Sequence, residues 1–106
     1  MAWVRAASAS EVAEASAIDV ELNGKRICLA RVDDEFYALL DNCSHRDFPL
    51  SPGEVDPDDC TITCEWHGAI FDLKTGEPQC PPAVRPVPVF QTRVENGSVF
   101  VDIPAG

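Results

Sequence analysis

The chain is poor in positive charge. Eight lysines and arginines stand against eighteen aspartates and glutamates among 106 residues, a formal net charge of −10. So acidic a surface argues against nucleic acid and anionic membranes as partners, because both attract basic patches. Long apolar runs are missing too, and no stretch approaches the roughly 20 residues of a membrane span. The opening MAWVRAASASEVAEASA has one Arg5 but no apolar core of the roughly seven residues a secretion signal needs, and Glu11 and Glu14 interrupt it. Five cysteines, an odd number without such a signal, argue against a disulfide frame and for metal ligation or free thiols in a reducing cytoplasm. No long stretch carries the 3.6-residue apolar period of a helix, which excludes helical bundles and alternating α/β folds. The core is expected to be small and single, and such cores gain from a metal centre that ties loops together.

Histidine is the scarcest reactive side chain, with two copies, and both lie beside a cysteine. Cys43-Ser44-His45 is followed by a spacer over 46–63 and then by Cys64-Glu65-Trp66-His67. These C-x-H and C-x-x-H pairs offer four metal ligands from two short loops.

The remaining pattern is β. Trp3 to Ala6 suits a first edge strand, and Ser8 and Glu11 have capping-box spacing for one short helical turn. Ile18, Val20 and Leu22 alternate with Asp19 and Glu21, and Asn23-Gly24 then suits a tight hairpin turn. The return strand over 25–32 puts Ile27 and Leu29 on one face and Cys28 and Ala30 on the other. After the turn at Asp33-Asp34-Glu35, the apolar run 36–40 predicts a strand covered on both faces. It delivers the chain to Cys43. Residues 49–59 read as loop, 60–64 as a strand leading to the second ligand pair, and 70–72 as a strand leading away. Five prolines within 78–88 predict a stiff extended connection. A last hairpin is expected around Asn96-Gly97, with Phe90, Thr92 and Val94 before it and Val99, Val101 and Ile103 after it. Short strands at this spacing predict an all-β fold, an antiparallel β-sandwich or incomplete barrel. The base comprises 1–40 and 77–106, and a small ligand-bearing subdomain is inserted over about 41–76.

Two thiolates and two imidazoles fit either a closed tetrahedral zinc site or a 2Fe–2S cluster with two histidines on one iron. Zinc sites usually group Cys with Cys and His with His. Here each loop offers one of each, which suits two irons. At this point the sequence resembles the Rieske iron–sulfur proteins. The C-x-H and C-x-x-H-Gly68 pairs, Leu50-Ser51-Pro52-Gly53, Phe71-Asp72 with Gly76, the proline stretch and the closing hairpin are similar to that family over nearly the whole chain. The similarity is greatest to the small ferredoxins of bacterial multicomponent oxygenases.

That resemblance implies one Rieske-type 2Fe–2S cluster held by Cys43, His45, Cys64 and His67. It implies a non-catalytic electron carrier that docks transiently on a flavoprotein reductase and a terminal oxygenase. Respiratory-chain members carry a further cysteine in each loop, joined as a disulfide; the matching positions here are Phe48 and Trp66. Their Ser and Tyr donors to the cluster are Ala69 and Phe71 here, and Glu65 replaces a common proline. Fewer donors imply a potential near the low end of the Rieske range, around −150 mV. Pro81-Pro82 would cover the cluster, or else serve as a stiff linker.

Cys28, Cys60 and Cys80 read as small buried apolar side chains. Cys60 lies roughly 13 Å from Cys64 if the strand between them is extended. Trp66 reads as loop packing, and Arg46 as either a surface ion pair or a docking contact. The non-haem route to oxygen activation needs two histidines and a carboxylate, and both histidines are already committed. Two rival readings remain at this stage. One is a Rieske subunit of another complex, in iron–sulfur cluster assembly or as a nitrite reductase small subunit. The other is a zinc-stapled interaction module.

Overall fold

The computed structural model describes residues 3–41, 50–64, 70–79 and 86–103. Within them the chain forms ten strands and one 3₁₀ turn: β1 (Trp3–Ser8), the turn (Ala9–Glu11), β2 (Ser16–Leu22), β3 (Lys25–Val32), β4 (Glu35–Leu40), β5 (Glu54–Asp56), β6 (Thr61–Thr63), β7 (Ile70–Asp72), β8 (Val89–Phe90), β9 (Thr92–Glu95) and β10 (Ser98–Asp102). They pair antiparallel in three sheets of order β1-β10-β9, β2-β3-β4-β8 and β5-β6-β7, with no closed barrel. The all-β expectation therefore holds. No helix among the described residues is long and apolar enough to cross a membrane.

The sheet β2-β3-β4-β8 is central because its strands bury both faces. Alternate residues point to opposite sides. Ile27 and Leu29 of β3, with Phe36 and Ala38 of β4, join Ala7, Val12, Val99, Val101 and Ile103 in one apolar cluster against the β1-β10-β9 sheet. Cys28, Ala30 and Leu39 face the other way. They pack with Leu50, Val55, Ile62, Cys64, Phe71, Leu73 and Val87 beneath the β5-β6-β7 sheet. The periodicity of β3 and the unbroken apolar run of β4 thus correspond to two separate cores, one on each side.

Both Asn-Gly hairpins form as the sequence predicts. Asn23 and Gly24 have φ of 52° and 81°, and Asn96 and Gly97 have 51° and 76°, the left-handed values such two-residue turns require. The Ser8–Glu11 pair closes its turn through the Glu11 carboxylate, which accepts the Ser8 N–H at 2.7 Å. Arg31 ties down the segment that follows: its guanidinium donates to the carbonyls of Val12 at 3.1 Å and Asp33 at 2.8 Å.

Three local expectations need correction. The segment 49–59 is not all loop, because Glu54–Asp56 forms β5 against β6. Its acids obscured a strand of three residues with only Val55 facing the core. Cys60 belongs to a turn, with φ 55°, and the strand begins at Thr61. The run through Phe90, Thr92 and Val94 is two strands. β8 pairs with β4, and β9 pairs with β10. Gln91 is the crossing point between sheets. The Thr92 hydroxyl fastens it by donating to the Phe36 carbonyl at 2.7 Å.

Of the proline stretch, the described parts are pinned at both ends. Pro78 bridges to Phe71, and Gln79 N–H donates to the Ile70 carbonyl at 2.7 Å. Val87 N–H reaches the Gly76 carbonyl at 2.9 Å, and Leu40 N–H reaches that of Pro88, also at 2.9 Å. Gly76 has φ 77°, and a β-carbon there would lie 2.1 Å from the Val87 oxygen, so only glycine fits. The conformation of Pro81-Pro82 lies outside the described residues.

Candidate metal centre

Of the four expected ligands, the described residues include Cys64. Cys43, His45 and His67 fall outside them, as do Arg46, Phe48, Glu65, Trp66, Ala69 and Cys80. What the structure gives is the frame from which both ligand segments spring.

The first segment leaves β4 at Asp41. Asp41 N–H still pairs with the Arg26 carbonyl on β3 at 2.9 Å, so the sheet remains regular to within two residues of Cys43. The chain re-enters at Leu50, which is fully buried. The Asp41 carboxylate joins exit to entry. One oxygen accepts the N–H groups of Leu50 and Ser51, each at 2.7 Å, and the other accepts the Ser51 hydroxyl at 2.8 Å. Asp41 is only 5% exposed, and a buried carboxylate is tolerated there because both oxygens are hydrogen-bonded. Sequence reasoning missed Asp41. It stands two residues before the C-x-H pair, where an acid reads as an ordinary loop residue.

The second segment leaves β6 at Cys64 and returns at Ile70. β6 is the middle strand of its sheet, held by β5 and β7 on either side. Cys64 is 1% exposed and packs in the same apolar cluster as Leu50, Ile62 and Phe71.

The two stems touch through Leu50-Ser51-Pro52-Gly53. Gly53 N–H donates to the Leu50 carbonyl at 2.8 Å, closing a turn. A β-carbon at Gly53 would lie 2.1 Å from the Thr63 carbonyl oxygen and 2.9 Å from that of Leu50. The backbone just before Cys64 therefore rests on the turn that ends the first ligand segment.

The donor chemistry suits a 2Fe–2S cluster. The expected set has two thiols and two imidazoles, and Cys64 is delivered, buried, by the middle strand of its sheet. The other described cysteines differ. Cys28 is fully buried in the core, and burial, reinforced by the negative charges of Asp41 and Asp19, raises its thiol pKa far above the ordinary value. A thiol held protonated and walled off from solvent reacts slowly. In the folded protein, a small alkylating reagent should leave Cys28 unmodified in a peptide map and label it fully only after denaturation. Native labelling at a free-thiol rate would contradict this placement. Cys60 sits partly buried in its turn at the other end of β6. Nearby, the Tyr37 hydroxyl donates to the Glu35 carboxylate at 2.6 Å; that bond, burial and the neighbouring Cys60 raise the phenol pKa.

Comparison with known proteins agrees with this frame. The family model described as the Rieske [2Fe-2S] domain matches residues 2–91. The ferredoxin subunit of 3-phenylpropionate/cinnamic acid dioxygenase from Escherichia coli K12 is 38% identical over 101 residues, covering 95% of this chain and 93% of that protein. The ferredoxin of carbazole 1,9a-dioxygenase from Nocardioides aromaticivorans IC177 superposes with a TM-score of 0.91 at 27% identity, covering 95% of this chain and 97% of its own. A chain from a complex of reduced oxygenase and oxidised ferredoxin in carbazole 1,9a-dioxygenase superposes at 0.85 with 35% identity, covering 93% and 91%.

Proposed function

The chain belongs to the Rieske [2Fe-2S] domain family, and on that premise we propose that it is the low-potential ferredoxin of a multicomponent aromatic-ring dioxygenase system. In this reading it accepts one electron from a flavoprotein reductase and passes it to a terminal oxygenase. It works in the cytoplasm and is the electron-transfer component rather than the catalyst. The observation that supports this most is the 38% identity to a dioxygenase ferredoxin subunit over nearly the full length of both chains.

The proposed ligands are Cys43, His45, Cys64 and His67. The proposed division is a base of 1–40 and 77–106 carrying a cluster-binding insertion of about 41–76. Bound there, the cluster supplies a centre that takes up and returns a single electron. The chain does the rest. Two neutral imidazoles in place of thiolates leave less negative charge at the centre. Phe71 is fully buried and brings no hydroxyl, which favours a potential near −150 mV, the low end of the Rieske range.

Among the described residues, several cations pair with acids of the chain itself. Arg31 lies 3.8 Å from Glu14 and 3.5 Å from Asp34. Arg93 pairs with Glu95 at 3.5 Å and lies 4.6 Å over the Trp3 ring. With eighteen acids against eight basic residues, the chain presents a large excess of negative charge to a partner. Docking is small and short-lived, below about 1,200 Å², and is steered by that charge. Electron delivery to either partner is expected to fall on the order of tenfold between low and high ionic strength.

The test is anaerobic reduction of the reconstituted protein by NADH and a flavoprotein ferredoxin reductase, followed by visible absorption and low-temperature EPR. One electron per chain, and reoxidation by an oxygenase with its aromatic substrate, are expected. A preparation holding one zinc and no acid-labile sulfide would replace this reading with a zinc-stapled module. Permanent co-elution with a partner would replace it with a fixed subunit.

A further inference from the structure

We propose that Asp41 is a positioning residue for the metal centre, the clasp that closes the first ligand segment and couples it to the second; this rests on the reading of Cys43, His45, Cys64 and His67 as ligands. Asp41 has no ligating role in that reading, yet its placement is specific. Its carboxylate gathers the Leu50 N–H, the Ser51 N–H and the Ser51 hydroxyl within 2.8 Å, from the far side of the segment that contains Cys43 and His45. The carboxylate thereby ties Asp41, where that segment leaves β4, directly to Leu50 and Ser51, where it ends. Holding the two ends together lowers the entropic cost of closing the chain between them.

The clasp extends further. Leu50 and Ser51 begin the turn whose Gly53 rests on the Thr63 carbonyl, one residue before Cys64. A continuous path of bonded or touching backbone thus runs from β4 through Asp41, across the turn, to β6. Spacing between the two ligand pairs is set along this path. A site holds its metal best when its ligands are fixed before the metal arrives, and hydrogen bonds behind the ligands do that fixing.

The carboxylate acts here by geometry. Asparagine can keep all three contacts: its carbonyl oxygen accepts both N–H groups, and its amide donates to the Ser51 oxygen. Alanine keeps none. Ser51→Ala removes one contact and leaves both backbone bonds in place.

The experiment compares holoprotein of wild type, Asp41→Asn, Asp41→Ala and Ser51→Ala. The readouts are the rate of iron release to a chelator and the g-values and line widths of the reduced EPR spectrum. Asp41→Ala is expected to release iron at least about tenfold faster, the loss typical of removing an outer-shell partner, and to broaden the spectrum. Asp41→Asn should stay within about threefold of wild type and keep its line shape, with Ser51→Ala between the two. Equal release and spectra in Asp41→Ala and wild type would overturn the clasp. So would equal damage in Asp41→Asn and Asp41→Ala, which would assign the effect to charge. If Asp41→Ala does not accumulate folded, Asp41→Asn and Ser51→Ala decide between these outcomes. If the ligand reading itself were wrong, the wild type would show no Rieske signal, a result distinct from any failure of Asp41.

Discussion

Cys64→Ser protein is expected to be isolated colourless, with less than about a tenth of the iron and acid-labile sulfide of wild type and no reduced-state EPR signal. The reason lies in ligand chemistry. Thiolate is the iron ligand, and a serine hydroxyl does not ionise near neutral pH to replace it. Cys43→Ser, His45→Ala and His67→Ala should behave alike, because a binuclear site with three good ligands has one iron held by a single protein donor. Cys28→Ser, Cys60→Ser and Cys80→Ser should keep the full complement of iron and sulfide. The Cys60 comparison is the most informative. Cys60 and Cys64 bracket the same short strand, at opposite ends of β6, so a general effect of losing a thiol there would appear in both. Analysis of iron, sulfide and zinc in the seven variants checks the set. Full iron in Cys64→Ser, or its loss in Cys60→Ser, would break the ligand assignment. Because metal binding is coupled to folding, the four ligand variants should also melt well below wild type.

Most of this architecture was legible in the residues, for local reasons. An Asn-Gly pair between alternating apolar residues can do little but turn a hairpin, and both copies do. β3 showed its two faces directly, and β4 showed burial on both sides by having no polar alternation. The proposed ligand set comes from the scarcity of histidine, whose two copies both stand beside cysteines; of that set only Cys64 lies among the described residues. What escaped depends on contacts distant in sequence. β5 has one core-facing residue between two acids, and only its pairing with β6 makes it a strand. Cys60 fits a period-two pattern, but the chain must turn there to bring β6 back along β5, and it does so at a positive φ. The Phe90–Val94 alternation was real but hid a change of sheet, since alternation continues whichever neighbour a strand joins. Asp41 gave no local sign because all three of its partners lie nine or ten residues away.

Gly53→Ala is expected to lower stability by about 3 kcal/mol or more, the range reached when atoms are forced into a packed backbone contact. The added β-carbon would sit 2.1 Å from the Thr63 oxygen and 3.0 Å from its carbonyl carbon, with the Leu50 oxygen at 2.9 Å on another side. Each obstacle is backbone rather than the movable end of a side chain. Relief means lifting the turn off β6 or opening the turn itself, and either displaces Leu50 from the core. At roughly 4–8 °C per kcal/mol for a domain of this size, the melting midpoint of the holoprotein should fall on the order of 15 °C at a fixed scan rate. Gly24→Ala is the matched control. Gly24 has φ 81° with nothing within 4 Å of the added carbon, so alanine there pays only for a left-handed backbone, about 1–2 kcal/mol. If Gly53→Ala melts no lower than Gly24→Ala, the tight contact between the two stems does not exist as described. If it melts far lower and also sheds iron faster, the contact both supports the fold and sets the distance between the ligand pairs. Gly24→Ala, remote on the β2–β3 hairpin, should lose stability without any change in iron release.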